Sequence, residues 1–204
     1  MDGTLLDSMS GWHNLGRDYL LLQGINPPKD LNETIEPMSM IEAANYFIQA
    51  FNLKISPEKI IEGVKALIED KYKNEFQLKP YVKEYLDLLK SQNAKMCVVT
   101  ASPIKFAQLA FDRNEIIDYF SFLLSCDEVG LGKDKPDIFY MAKNKLGVEE
   151  SQIAVFDDAD FALITAKEAG FYTVGVYDDF YKNERKNLEV ICDKYIESFN
   201  ELIS

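Results

Sequence analysis

The spacing of apolar and polar positions changes near residue 80, and the change divides the chain into two textures. From about Ser10 to Gln77 apolar residues recur every three or four positions, as on the buried stripe of a helix. The clearest stretch runs from Pro57 to Phe76, where Ile60, Ile61, Val64, Leu67 and Ile68 share one face and Ser56 with Pro57 reads as cap and first helical position. Trp12 to Gln23 and Met38 to Phe51 repeat the pattern, so a small helical bundle is expected here. From Tyr81 onward short unbroken apolar runs alternate with helical stretches. Lys95 to Thr100 (KMCVVT), Phe122 to Ser125, Ile153 to Asp157 (IAVFD) and Tyr172 to Val176 (YTVGV) read as strands. Val82 to Gln92, Ile104 to Arg113, Asp137 to Leu146 and Phe161 to Ala169 read as helices, the last two closed by Gly147 and Gly170. This alternation predicts an α/β, Rossmann-like core: a parallel sheet with crossover helices, its strands buried on both faces.

Open α/β sheets bind ligands at the carboxyl ends of their strands, and polar residues follow three of these strands: Thr100 with Ser102, Asp157 with Asp158, and Asp178. Adjacent carboxylates such as Asp157 and Asp158 repel unless a cation sits beside them, and a hard oxygen-seeking ion, Mg²⁺ above all, is the natural partner. The plainer alternative is that one caps the next helix and the other faces solvent. Lys133, in the loop GLGKDKPDIF, is either a point-charge partner for phosphate or a solvated surface charge. The turn Thr100-Ala101-Ser102-Pro103 either offers a hydroxyl and backbone N–H groups to a phosphate oxygen or is an ordinary helix cap. In the opening MDGTLLDS, Gly3 permits a tight turn after Asp2 and Thr4 is expected to brace it by a side-chain to backbone bond.

Charge sharpens the choice. With 22 basic against 34 acidic residues the net charge is −12, so the mean field repels nucleic acid and anionic membranes, and would repel a phosphorylated substrate unless a cation and local donors reverse it. No apolar run approaches the roughly 18 residues of a membrane span, and a cytoplasmic, monomeric protein is expected. Cys97, Cys126 and Cys192 show no metal-like spacing and are assigned no chemistry.

Taken in order, MDGTLLDS, a strand ending in Thr100, Lys133 before Pro136-Asp137, and a strand ending in Asp157-Asp158 resemble the four motifs of the haloacid dehalogenase superfamily. The resemblance covers essentially the whole chain, including the Ala-Lys-Glu-Ala-Gly ending of the helix after Asp158. It is nearest to the β-phosphoglucomutase and phosphoglycolate phosphatase branch, whose helical cap is inserted between the first two motifs. Residues 10–79 would be that cap, and residues 1–9 with 80–204 the core.

The resemblance implies a Mg²⁺-dependent phosphatase acting on a small phosphorylated metabolite through an aspartyl phosphate. Asp2 matches the second Asp of Asp-x-Asp-Gly-Thr, the general acid and base, whose backbone carbonyl also helps hold Mg²⁺. Met1 matches the x. The nucleophile is therefore expected immediately before Met1, preceded by a central apolar strand, in a chain whose true start lies upstream. Thr100 and the N–H of Ala101 correspond to the phosphate donors, Lys133 to the third-motif lysine, Asp158 to the main metal ligand, and Asp157 to an acidic neighbour of the ion. The usual Gly-Lys-Pro-x-Pro-Asp becomes Gly132-Lys133-Asp134-Lys135-Pro136-Asp137, which leaves Lys135 as an alternative, and Ala159 and Ala162 replace the family's Ser and Gly after Asp158. In the cap, Trp12, His13, Arg17 and Tyr46 are candidate substrate contacts. A mutase His would fall at Trp12, and His13 is offset by about a hundred degrees on a helix. Phosphatase therefore leads, with a phosphosugar mutase and an inactive phosphate- or metal-binding protein as alternatives, and a phosphoacceptor signalling domain last.

Overall fold

The computed structural model describes residues 1–203. They form two compact units, one of Met1–Met9 with the chain from Phe76 onward, the other Ser10–Glu75.

The helical unit follows the short helix α1 (Met9–His13) with α2 (Leu15–Leu22), α3 (Leu31–Ile35), α4 (Met40–Phe51) and α5 (Pro57–Asn74). Ser39 caps α4 through a reciprocal box with Glu42, and Ser56 caps α5 ahead of Pro57, so both starts are written in local chemistry. Their apolar faces meet in a core of Tyr19, Leu20, Leu31, Ala44, Phe47 and Ile60. The stretch expected as one helix from Trp12 to Gln23 is two, broken at Asn14, and α3 was not foreseen. Asn14 accepts on its side-chain oxygen from the buried Asn32 of α3, a tertiary bond that the helical period does not announce.

The α/β unit continues with α6 (Val82–Ser91), β1 (Cys97–Thr100), α7 (Ile104–Arg113), β2 (Phe122–Ser125), the single turn α8 (Cys126–Val129), α9 (Asp137–Leu146), β3 (Ala154–Asp157), α10 (Asp160–Glu168), β4 (Tyr172–Val176), α11 (Arg185–Ile191) and β5 (Lys194–Ile196). All strand pairs are parallel, as the alternation predicts, but they form two sheets, β1-β2 and β3-β4-β5. Among the described residues no strand bridges β1 to β3. Burial follows pairing: β4, with a neighbour on each side, is buried from Thr173 onward, whereas β1 alternates and β3 is buried only at Asp157. Registers place Thr100 beside Ser125 and Asp157 beside Gly175, which aligns the carboxyl ends within each sheet.

The expected boundary at Lys79 lies at Glu75 instead. Residues 76–79 belong to the α/β unit because they pair with its opening segment. Leu6 and Leu78 form an antiparallel bridge, the Asp7 N–H donates to the Gln77 carbonyl at 3.0 Å, and the Lys79 N–H donates to the Leu5 carbonyl at 2.9 Å.

Candidate active site

The opening segment folds as a tight turn. The Met1 carbonyl accepts from the N–H groups of Thr4, Leu5 and Leu6 at 3.3, 2.8 and 3.0 Å, and the Gly3 N–H donates to the Leu6 carbonyl at 3.1 Å. Gly3 has φ +67°, and a Cβ built there would lie 2.1 Å from Oδ2 of Asp158. Glycine is required twice over at this position, by the backbone and by the carboxylate against it. Thr4 does not brace the turn through the backbone as expected. Its Oγ1 donates to Asp158 Oδ1 at 2.7 Å, which joins the first motif to the fourth across the fold.

Asp2 is engaged on both carboxylate oxygens. Ser8 Oγ, fully buried, donates to Oδ1 at 2.7 Å, and Ser102 Oγ, from the loop after β1, donates to Oδ2 at 2.8 Å. The Ser102 N–H in turn donates to Thr100 Oγ1 at 3.0 Å, closing the loop that carries the backbone of Ala101. Ser8 has no role in the sequence reading, and Ser102 enters it only as a polar residue in the turn after Thr100. A serine six residues after Asp2 carries no periodic signal, and only the turn returns it to the carboxylate.

Lys133 selects Asp157. Its Nζ lies 2.7 Å from Asp157 Oδ2 with the two side chains 12% and 5% exposed, while Asp157 Oδ1 accepts the Ala159 N–H at 3.1 Å. Burial works against the Lys133 charge, but the adjoining Asp157 carboxylate outweighs it and, with Asp158, raises the lysine above its ordinary value. The solvated-charge reading of Lys133 therefore fails, whereas Lys135 is exposed. Neither member of the Asp pair faces solvent.

Asp158 differs from its neighbour. Burial, then the like charge of Asp157, push its carboxyl up to about 6 against the pull of the Met1 amino group, Thr4 and Lys133. A buried carboxylate whose charge is incompletely balanced suits a cation. Among the described residues no group of three His, Cys, Asp or Glu side chains is arranged to hold a metal, and the expected set draws on Asp2 only through its backbone carbonyl. Asp2 accepts from two hydroxyls, and Asp157 accepts from Lys133 and from the Ala159 N–H.

The cap-side candidates lie in the helical unit. Trp12 Nε1 donates to the Tyr72 hydroxyl at 2.9 Å, Arg17 donates to the carbonyls of Pro28 and Lys29, Tyr46 packs on Phe47 and Phe51, and His13 is exposed at the end of α1. The cysteines are free, and burial pushes the Cys97 thiol up to about 11.

An α/β core that gathers a lysine, buried carboxylates and hydroxyls at strand ends defines a protein for phosphoryl chemistry. The family model described as haloacid dehalogenase-like hydrolase matches residues 1–170, and the chain belongs to that family of phosphohydrolases. It is 28% identical over 174 residues to a phosphorylated carbohydrates phosphatase of Thermotoga maritima, covering 83% of this chain and 79% of that one. It is 25% identical over 178 residues to the fructose-1-phosphate phosphatase of Escherichia coli, covering 86% and 93%. Among solved structures, a candidate β-phosphoglucomutase of Thermotoga maritima superposes with TM-score 0.86 at 24% identity, over 100% of this chain and 94% of that one, a likeness of fold. Among the described residues no helix is long and apolar enough to cross a membrane.

Proposed function

We propose that the protein is a Mg²⁺-dependent phosphatase of small phosphorylated metabolites, sugar phosphates foremost, working through an aspartyl phosphate. The observation that carries the reading is the convergence of the four motifs: Asp2 on Ser102, Thr4 on Asp158, and Lys133 on Asp157. In the family's Asp-x-Asp-Gly-Thr the attacking carboxylate stands two positions before the residue that Asp2 matches.

Each residue of the chain then has a stated task. Asp2 passes a proton to the leaving oxygen and later takes one from water, its carboxylate aimed by Ser8 and Ser102. Lys133, kept charged by Asp157, and the Thr100 hydroxyl with the Ala101 N–H hold the phosphoryl oxygens. The Asp158 carboxylate and the Asp2 carbonyl would hold Mg²⁺, which neutralises phosphate charge when bound. The helical unit, with Trp12, His13 and Arg17, is assigned to substrate selection. The sugar-phosphate class comes from the names of the relatives and from nothing in the site itself.

The test is release of phosphate from a panel of hexose, pentose and hexitol phosphates, with Mg²⁺ and with chelator. The panel is run on protein carrying an aspartate two positions before Asp2. Asp2→Ala is expected to lower turnover of the extended protein by about 10²- to 10⁴-fold, and Asp158→Ala to abolish its response to Mg²⁺. Turnover indifferent to chelator and to both substitutions would refute the proposal, and an isomerised sugar phosphate in place of free phosphate would assign a mutase.

A further inference from the structure

A second enclosed ion pair lies in the α/β unit. Lys79 Nζ stands 2.8 Å from Asp178 Oδ2, with side chains 12% and 6% exposed, and donates to the Tyr177 carbonyl at 2.5 Å. The remaining oxygen, Asp178 Oδ1, accepts the Phe180 N–H at 2.9 Å. Taking two charges out of water is favourable only when geometry and further hydrogen bonds compensate, and even then such a pair is weak evidence of a contribution to stability. Its value lies in what it fixes in place.

Lys79 is held at both ends. Its ammonium is fixed just beyond the carboxyl end of β4, and its main-chain N–H donates to the Leu5 carbonyl. Leu5 and Leu6 form the far limb of the turn that begins at Asp2: both donate to the Met1 carbonyl, and Leu6 accepts from Gly3 and pairs with Leu78. Two residues further on, Ser8 returns its hydroxyl to Asp2. Strand β4 is also the neighbour of β3, with Gly175 in register with Asp157. The lysine thus ties the turn bearing Asp2 to the strands that position Asp157 and Asp158.

We propose that Lys79 and Asp178 are positioning residues for Asp2, an inference that rests on the reading of Asp2 as the proton-transferring carboxylate. Asp2 arrives on an irregular turn, and proton transfer tolerates misplacement of only about 0.5 Å. Without the pair, the 76–79 segment keeps its backbone bonds to Leu5 and Asp7 but loses its tie to the end of β4, and the Leu5–Ser8 limb loses the support that steadies it beneath Asp2.

In protein carrying an aspartate two positions before Asp2, the experiment compares Lys79→Met, Asp178→Asn and the double variant with the unsubstituted protein by steady-state kinetics on a hydrolysed sugar phosphate and by amide hydrogen exchange. The single variants are expected to lower kcat by about 10- to 100-fold, with KM changed by less than about threefold because the phosphate-holding groups are untouched. The double variant leaves no buried charge unpaired. It is expected to recover most of the melting temperature lost by Lys79→Met while keeping the deficit in kcat, a separation that a purely structural pair would not produce. The amides of Gly3, Leu5 and Leu6 should exchange at least about tenfold faster in the variants, with those of β4 unchanged. A double variant with wild-type kcat, or unchanged protection at Gly3 to Leu6, would overturn the proposal. Should the unsubstituted aspartate-bearing protein hydrolyse no phosphate ester, the functional reading fails and the exchange measurement alone decides whether the pair holds the turn.

Discussion

Replacing Gly3 by alanine probes how closely the first-motif turn is fitted to Asp158. At φ +67° a side chain costs roughly 1 kcal/mol in backbone strain alone. The new Cβ would also stand 2.1 Å from Asp158 Oδ2 and 2.5 Å from its carboxyl carbon. The carboxylate must retreat by about 1 Å to reach an allowed contact. It cannot swing into solvent cheaply, because Asp158 is 5% exposed and Thr4 holds its other oxygen. Losing that charged hydrogen bond costs about 1.5 to 3 kcal/mol. Gly147 supplies the control: its φ is +66°, and nothing lies within 4 Å of a Cβ built there. Alanine at 147 should therefore cost about 1 kcal/mol, and alanine at 3 about 2.5 to 4 kcal/mol. In a chain of this size these become drops in melting temperature of about 2 to 4 °C and 5 to 15 °C. Scanning calorimetry is the suitable assay, because it reads the shift in melting temperature directly. Equal losses at the two positions would show that the turn is not packed on Asp158.

Further expectations concern other enclosed or strained groups. Asp157→Asn strands the Lys133 ammonium beside a neutral partner and should destabilise by about 3 to 5 kcal/mol in urea titration; a loss below about 1 kcal/mol would mean that water reaches the pair. Tyr81 has φ 64° with its side chain 48% exposed, so Tyr81→Gly should raise the melting temperature by about 2 to 4 °C. A lowered melting temperature would show that the ring contributes more than the backbone strain costs. The Asp193 carboxylate is held below its ordinary range by the Thr173 N–H and then by Lys167. Its stabilisation is present above the usual aspartate pKa and disappears as the pH falls through the lowered value. Asp193→Asn should flatten the acid limb of a stability-against-pH curve and leave its slope above pH about 6 unchanged; an unaltered acid limb would refute the assignment.

Local chemistry carried much of the fold into the sequence. Strands β2 and β4 and helices α7 and α9 lie where periodicity puts them, helped by Pro103 before α7, Pro136 and Gly147 around α9, and Gly170 before β4. Strand β5 was invisible for the opposite reason. Lys194-Tyr195-Ile196 is three residues long with polar flanks, and it is a strand only because β4 offers it an edge. The division into two sheets was equally unreadable, since pairing between distant segments leaves no trace in the period of either one.

At the site, the sequence was informative about which residues matter and silent about how they are joined. Lys133, Asp157 and Asp158 stand out because charged residues next to buried strands need partners, and the structure supplies one for the lysine within hydrogen-bond reach. The hydroxyl partners of Asp2 and Asp158 could not be read this way. Ser8, Ser102 and Thr4 are residues that turns accept anywhere, and their roles follow from a carboxylate meeting them across up to 154 positions of chain. The same argument explains Lys79, which looks like an ordinary charge after a helix until Asp178 is found against it. Charged groups near strand ends thus locate the chemistry, whereas small hydroxyls and one returning segment set the aim of each carboxylate, and substitutions at those quieter positions separate aim from presence.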